Sequence, residues 1–214
     1  MMKHVKKFLT KIFYNFRYRW RGDGAVLQRK YKTYNDYLLH QKSKLATLDL
    51  TRYDRKYRHA LKQRLEENGI SGGNVLCLAA RIGTEVKAFH DVGCFAVGLD
   101  VNPGNENKYV VYGDFHDIQF PTGSVDIVFS NSLDHVLDFE KFVSEIDRVL
   151  KPGGILILEI WDGSDPGAWE VSTWKSTDDI IKVFLNRFDI VKKFSFRHIG
   201  KYAKMGTCVY LKKY

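Results

Sequence analysis

The sequence predicts an α/β fold with a mostly parallel sheet, helices on both of its faces and a helical N-terminal extension. Short apolar runs alternate with amphipathic helical patterns between residues 75 and 160, which is typical of strands joined by crossover helices. Acidic residues follow two successive runs, at the edge where the carboxyl ends of parallel strands meet. A Lys-Pro-Gly-Gly turn at residues 151–154 ends one helix before another strand begins.

Two apolar runs open the predicted sheet. Residues 75–80 (VLCLAA) predict a buried strand, and the tight loop RIGTE at residues 81–85 leads into a helix. Residues 94–99 (CFAVGL) predict a second strand, which ends at Asp100. A carboxylate at this edge of a sheet can accept hydrogen bonds from both hydroxyls of a ribose, so Asp100 predicts a nucleotide-like ligand.

The next elements continue the alternation. Residues 109–112 predict a third strand, after which Asp114 is placed to accept a hydrogen bond from an adenine amino group while Phe115 covers the ring. The remaining predicted elements are a helix at residues 51–69, a fourth strand at 124–130, a helix at 139–150 and a fifth strand at 155–160.

The order and spacing of these motifs resemble one enzyme family. The segments GDFHDIQFPTGSVDIVFSNSLDHV and RVLKPGGILILEI, at residues 113–136 and 148–160, look like class I S-adenosylmethionine-dependent methyltransferases of the type 11 group. The resemblance extends over roughly residues 70–160. It implies S-adenosyl-L-methionine as the cofactor and a Rossmann-like methyltransferase sheet of seven strands. Residues 188–196 and 207–211 match the antiparallel final strand pair of that sheet.

The first cofactor loop departs from the pattern of the family. Such families usually carry an acidic residue and three glycines there, whereas the matching positions hold Cys77, Ala79, Arg81 and Gly83. In one interpretation, the Arg81 guanidinium pairs with the methionine carboxylate of the cofactor, and Glu85 accepts from its ammonium or steadies Arg81. In the other, Arg81 points to solvent or to a sheet-edge carboxylate, and the cofactor binds poorly or not at all. The residues that the resemblance assigns to the cofactor are Ala79, Ala80, Arg81, Gly83, Glu85, Asp100, Val101, Asp114, Phe115 and Asn131.

The predicted catalytic groups follow the fourth strand. Methyl transfer depends mainly on positioning, although a hydroxyl acceptor must also lose its proton. Residues 131–135 (NSLDH) lie at the crevice edge, so His135 or Asp134 is the predicted general base. The alternatives are that His135 belongs to the pocket wall or to a helix start, and that Asp134 caps the following helix. His116 and Asp117 are weaker candidates because they lie beside the adenine.

The segment from Tyr31 to Leu45 carries tyrosines at every third position and continues as a predicted helix that caps the crevice. Its polar side chains suit a sugar-like or phosphorylated acceptor, although packing of the tyrosines in the core is the alternative. Beyond the fifth strand, Trp161, Trp169 and Trp174 either line the acceptor pocket or belong to the core. The predicted substrate residues are Tyr34, Tyr37, His40, Gln41 and Trp161, with Lys44 beside them.

Positive charge is concentrated in the N-terminal third of the chain. Residues 1–70 contain 18 Lys and Arg against 6 Asp and Glu, whereas the remainder contains 16 against 19. Residues 3–21 predict an amphipathic helix of the kind that lies on an anionic membrane surface. Packing on its own domain or on a second copy is the alternative, and nucleic acid is a third candidate. The apolar positions are Val5, Phe8, Leu9, Ile12, Phe13, Phe16 and Trp20, and the cationic ones Lys3, Lys6, Lys7, Lys11, Arg17 and Arg21.

Two regions are predicted: a basic, aromatic-rich helical extension or cap at residues 1–69 and the methyltransferase domain at residues 70–214. Cys77, Cys94 and Cys208 occur singly, which predicts buried reduced thiols and no metal site. The sequence has no apolar run of about 18 residues and no signal-peptide core. We therefore expect a cytoplasmic protein, with attachment at the inner membrane face as the open alternative.

The predicted function is S-adenosylmethionine-dependent methyl transfer to an oxygen of a polar acceptor, such as a surface-polysaccharide or lipid-linked sugar. The alternatives are an RNA methyltransferase and a non-catalytic binding protein with the same fold. Enzymes that methylate amino groups of nucleic-acid bases would show Asn or Asp followed by Pro-Pro-Tyr after the fourth strand, and residues 131–134 read NSLD instead.

Overall fold

The computed structural model describes residues 2–22, 24–44, 50–161, 167–197 and 205–214, with only the backbone of residues 2–8 and of Arg52. The end of the predicted cap helix at Leu45 and the side chains of Val5 and Phe8 lie outside the described residues. The helices are α1 (Met2–Arg17), α2 (Tyr34–Lys42), α3 (Thr51–Glu67), α4 (Thr84–Asp91), α5 (Phe139–Val149) and α6 (Thr177–Ile181). The strands are β1 (Trp20–Arg21), β2 (Val26–Arg29), β3 (Asn74–Leu78), β4 (Phe95–Asp100), β5 (Val110–Tyr112), β6 (Val125–Ser130), β7 (Leu150–Trp161), β8 (Ser172–Trp174), β9 (Phe188–Arg197) and β10 (Met205–Lys213).

The main sheet has seven strands in the order β5-β4-β3-β6-β7-β10-β9. Strands β3 to β7 pair in parallel, while β10 is antiparallel to both of its neighbours. The predicted Rossmann-like sheet with an antiparallel last strand is confirmed. The chain adds strands on one side of β3 and then crosses to β6 on the other, so the topological switch point lies between β3 and β6. Ligands of open α/β sheets bind beyond the carboxyl ends of the strands at such a point.

Apolar side chains cover both faces of this sheet, as a parallel sheet requires. Along β3, Leu76 and Leu78 face a cluster that contains the apolar side of α5, and Val75 and Cys77 face a cluster that contains α3 and α4. Because successive strand residues point to opposite faces, one short apolar run contributes to both clusters. The three cysteines are buried and free, in agreement with the expectation of reduced thiols.

A second, three-stranded antiparallel sheet in the order β1-β2-β8 was not predicted. Strands β1 and β2 form a hairpin, and β2 also pairs with β8 from the second half of the chain. Arg29, at the end of β2, is 2% exposed. It donates to the carbonyl oxygens of Tyr18 (2.9 Å) and Glu170 (2.6 Å) and to Asn15 Oδ1 (2.7 Å). The first 69 residues are thus tied to a distant part of the chain, and the division at residue 69 stays a prediction.

Candidate active site

The loop between β3 and α4 has a backbone that favours glycine. Ala79 and Arg81 have φ angles of 55° and 46°, although neither is glycine. A side chain in this region costs on the order of 1 kcal/mol, and such strain concentrates at functional sites. Gly83 has a φ of 78°, and a Cβ there would lie 2.6 Å from Cβ of Tyr109. The loop therefore keeps a glycine-type conformation even where the sequence carries side chains.

Asp100 ends β4 with its carboxylate fixed in one orientation. Its Oδ2 accepts a hydrogen bond from the backbone amide of Arg81 (2.9 Å), and its Oδ1 accepts from the amide of Asn102 (2.7 Å). The residue is buried, and burial raises the pKa of the carboxyl group. The contact between Asp100 and Arg81 joins the end of β4 to the loop after β3, so both predicted cofactor elements lie side by side.

A crevice with an empty volume of about 520 Å³ opens at this edge of the sheet. Its size is in the range of sites that hold cofactors and drug-sized ligands. The loops after β3, β4, β5 and β6 contribute to its walls, and α2 with the turn that follows it covers one side. The lining residues are Tyr37, Gln41, Lys44, Ala79, Arg81, Asp100, Val101, Asn102, Phe115, Ser132 and His135.

The crevice brings together eight of the residues that the sequence assigned to cofactor, acceptor or catalysis. These are Tyr37, Gln41, Ala79, Arg81, Asp100, Val101, Phe115 and His135. Sequence reasoning missed Asn102, although its position two residues after the predicted ribose-binding carboxylate was a usable signal. The assigned residues that do not line the crevice are Ala80, Gly83, Glu85, Asp114, Asn131, Asp134, Tyr34, His40 and Trp161.

The Arg81 side chain lines the crevice, with its guanidinium carbon 5.7 Å from the centre of the Tyr53 ring. Within the described part of the chain, no ion pair holds this guanidinium. Burial raises the pKa of Glu85, and the positive charge of Arg81 acts in the opposite direction. Arg81 therefore presents a cation on the crevice wall near a buried carboxyl group.

Glu85 and Asn131 belong to a buried hydrogen-bond network behind the crevice. Asn131 Nδ2 donates to Glu85 Oε1 (3.0 Å) and to the Tyr57 hydroxyl (2.8 Å). That hydroxyl donates to Glu159 Oε2 (2.6 Å), and Arg64 Nε donates to Glu159 Oε1 (2.8 Å). The network joins α3 and α4 to β7 and to the residue after β6, so it supports the wall on which Arg81 lies.

Helix α2 reaches across the sheet edge to Asp114. The Tyr34 hydroxyl donates to Asp114 Oδ2 (2.5 Å), and the His116 amide donates to Oδ1 (2.9 Å). The Tyr37 hydroxyl donates to the carbonyl of His135 (3.2 Å). Both oxygens of Asp114 thus have protein donors, and the predicted adenine acceptor also holds the cap helix in place.

His40 is buried at the rear of α2. Its Nε2 lies 2.9 Å from the Ala168 carbonyl, which accepts, so Nδ1 is left to accept from the Tyr31 hydroxyl (2.8 Å). Burial lowers the pKa of His40 to about 4. The imidazole is therefore neutral and links α2 to the segment before β8. On the opposite end of the chain, Trp161 packs against Phe196 with ring centres 5.1 Å apart.

His135 and Lys44 meet at the crevice wall. His135 Nδ1 donates to the Trp169 carbonyl (3.1 Å), which leaves Nε2 to accept from Lys44 Nζ (2.6 Å). Burial lowers the pKa of Lys44 to about 8, and the nearby charge of Arg81 adds to the effect. Burial likewise lowers the pKa of His135 and raises that of the neighbouring Asp134, whose Oδ2 is 3.7 Å from His135 Nε2. The predicted base thus shares a hydrogen bond with an amine that titrates near neutral pH.

Comparison with known proteins agrees with this geometry. Residues 69–158 match the sequence profile of the type 11 group, described as a methyltransferase domain, which confirms the resemblance drawn from the motifs. The chain is 31% identical over 77 residues to 2-methyl-6-phytyl-1,4-hydroquinone methyltransferase of Synechocystis sp., a match over 36% of this chain and 24% of that protein. It is 32% identical over 126 residues to sterol 24-C-methyltransferase of Eremothecium gossypii, over 50% of this chain and 32% of that protein.

The chain thus spans about a quarter to a third of the length of these curated relatives. A similar fold occurs in the crystal structure of 1,6-didemethyltoxoflavin-N1-methyltransferase of Burkholderia thailandensis, which contains bound 1,6-didemethyltoxoflavin and S-adenosylhomocysteine. The TM-score is 0.66 at 12% identity, with 91% of this chain and 98% of that chain covered.

Proposed function

Because residues 69–158 form a type 11 methyltransferase domain, we propose that this protein transfers the methyl group of S-adenosylmethionine to an oxygen of a polar acceptor. The class of acceptor that we favour is the sugar of a surface polysaccharide or of a lipid-linked intermediate. One observation carries the proposal: a single crevice holds an oriented carboxylate, an unpaired guanidinium and a lysine–histidine pair.

The residues of the crevice fit S-adenosylmethionine. The fixed carboxylate of Asp100 suits the two ribose hydroxyls, Phe115 offers an apolar face for adenine, and Arg81 suits the methionine carboxylate. The bound cofactor supplies a methyl group on a sulfonium, an electrophile that requires positioning more than activation. Asp114 retains a proposed role near the adenine, shared with the contact that it makes to Tyr34.

The acceptor side of the crevice combines Tyr37, Gln41, Lys44 and His135. A hydroxyl acceptor must lose its proton during transfer, and a base works best when its pKa is close to the ambient pH. Lys44, with a pKa of about 8, meets this condition better than His135, whose pKa burial lowers. We therefore assign the proton to the Lys44–His135 pair, in which Lys44 Nζ takes it up and His135 Nε2 orients the amine.

Calorimetric titration with S-adenosylhomocysteine tests the cofactor part of the proposal. We expect binding at micromolar strength that weakens at least about tenfold in Arg81→Ala and in Asp100→Ala, because each loses a charge-assisted hydrogen bond. Arg55→Ala, at an exposed position on α3, is the matched control and should bind like the unmodified protein. Absence of binding to folded protein would instead support a non-catalytic binding protein.

A further inference from the structure

Helix α1 carries an apolar stripe that the described residues leave uncovered. Leu9, Ile12, Phe13 and Phe16 are 58%, 50%, 54% and 78% exposed. Their spacing places them on one face of the helix, where they form a continuous patch. Single exposed apolar residues are common on proteins, but a contiguous patch of large ones marks an interaction surface.

The opposite side of α1 is anchored, so the stripe faces away from the domain. The Tyr14 hydroxyl is hydrogen-bonded to Ser43 Oγ (3.1 Å), and its ring lies 4.1 Å from the His40 ring. Arg29 donates to the carbonyls of Tyr14 (3.1 Å) and Tyr18 (2.9 Å). Packing on the protein's own domain therefore uses the tyrosine side of α1 and leaves the stripe for another partner.

Cations border the stripe, and α1 contains no acidic residue. Arg17 lies four residues after Phe13 and so next to the stripe, with 53% of its side chain exposed. Arg19 and Arg21 follow directly and are exposed. The surface thus combines an apolar centre with a cationic border, which is complementary to a lipid surface that carries anionic headgroups.

We propose that α1 lies in the interface of an anionic lipid membrane, with Leu9, Ile12, Phe13 and Phe16 inserted between the headgroups. Two other occupants fit less well. Nucleic acid contacts cations, whereas the outward face of α1 is apolar. A second copy of α1 would bring two cationic helices together, since α1 has no carboxylate to pair with them. The described residues contain no helix that is long and apolar enough to cross a membrane.

Membrane contact at α1 places the crevice beside the lipid. Tyr14 of α1 reaches Ser43 at the end of α2, and α2 lines the crevice with Tyr37 and Gln41. This step rests on the proposed function: it selects acceptors that are anchored in the membrane, such as a lipid-linked sugar, over freely diffusing ones.

The test is sedimentation of the full chain with vesicles of phosphatidylcholine alone or mixed with phosphatidylglycerol. We expect strong binding to the anionic vesicles only, and at least about a tenfold lower partition coefficient for the double variant Phe13→Gln, Phe16→Gln. Phe95→Gln is the control, because Phe95 is 69% exposed but lies on β4. It should bind vesicles like the unmodified protein.

Two further measurements keep the interpretation unambiguous. The double variant should retain its affinity for S-adenosylhomocysteine, so loss of membrane binding is distinguishable from failure of the cofactor site. Unchanged sedimentation of the double variant would overturn the proposal. So would a concentration-dependent dimer, or RNA binding, that is lost in the double variant while vesicles bind neither form.

Discussion

The two walls of the crevice are held in place by different means. The cofactor wall, formed by Arg81 and Asp100, depends on backbone amides at the ends of adjacent strands. The acceptor wall, formed by Gln41, Lys44 and His135, depends on side-chain contacts between residues far apart in the chain, such as the 91 positions between Lys44 and His135. The main sheet therefore fixes the cofactor wall, while docking of the N-terminal region fixes the acceptor wall.

This difference implies that the walls can be perturbed separately. Changes in the N-terminal region should alter the acceptor wall and the stability of the cap, with little effect on cofactor affinity. Changes at the ends of β3 and β4 should do the reverse. The same division fits a fold in which a common cofactor site is combined with a variable acceptor site.

The largest effect is expected for Arg29→Met, which breaks the docking of the N-terminal region. Five hydrogen bonds of the buried guanidinium are lost, and the carbonyls that accept them stay buried. We expect the free energy of unfolding to fall by about 3 kcal/mol in urea titrations. Arg19→Met, at an exposed position, is the control. An equal loss of S-adenosylhomocysteine affinity would contradict the independence of the two walls.

Asp100→Asn should affect the cofactor wall by a smaller amount. The amide keeps the shape of the carboxylate but places a donor against the amide of Arg81 or of Asn102. We expect S-adenosylhomocysteine affinity to fall by about 2 kcal/mol, or roughly 30-fold, in calorimetry. In the unmodified protein the affinity should also decrease toward acid pH, because burial raises the pKa of Asp100 and the carboxylate is protonated sooner. Asp117→Asn, which is exposed, should change neither property.

Lys44 links the two walls through charge. In an NMR titration with labelled lysine side chains, we expect one resonance with a pKa of about 8 that is absent in Lys44→Met. Arg81→Ala should raise this pKa, because the positive charge of Arg81 disfavours the ammonium form. The folded-state pKa lies below that of unfolded lysine, so this group makes the fold more stable as pH rises from about 8 to about 10.4. A resonance that is insensitive to Arg81→Ala would show that the two walls are electrically separate.

Tyr34→Phe should give the smallest change. It removes the hydrogen bond from α2 to Asp114, but Tyr34 is 42% exposed and water can replace its hydroxyl. We expect a loss of about 1 kcal/mol or less in the free energy of unfolding. Tyr109→Phe, 38% exposed, serves as the reference. A loss as large as that of Arg29→Met would mean that this single contact holds the cap.

The periodic elements were predictable because their signals are local. Alternating apolar runs located β3, β4, β6 and β7 to within a few residues, and the helical pattern located α5. The acidic residue at the end of β4 also followed from sequence position alone. Strands β1, β2 and β8 were missed because segments of two to four residues carry no period, and only pairing over a long separation makes them strands.

The sequence by itself determined the sheet, the cofactor edge and the amphipathic character of α1, since each follows from the order of neighbouring residues. Tertiary structure alone decided which side of α1 is covered, that Tyr34 reaches Asp114, and that Lys44 meets His135. These contacts join residues separated by 29, 80 and 91 positions. No local pattern encodes them, because they arise only when the N-terminal region docks on the folded sheet.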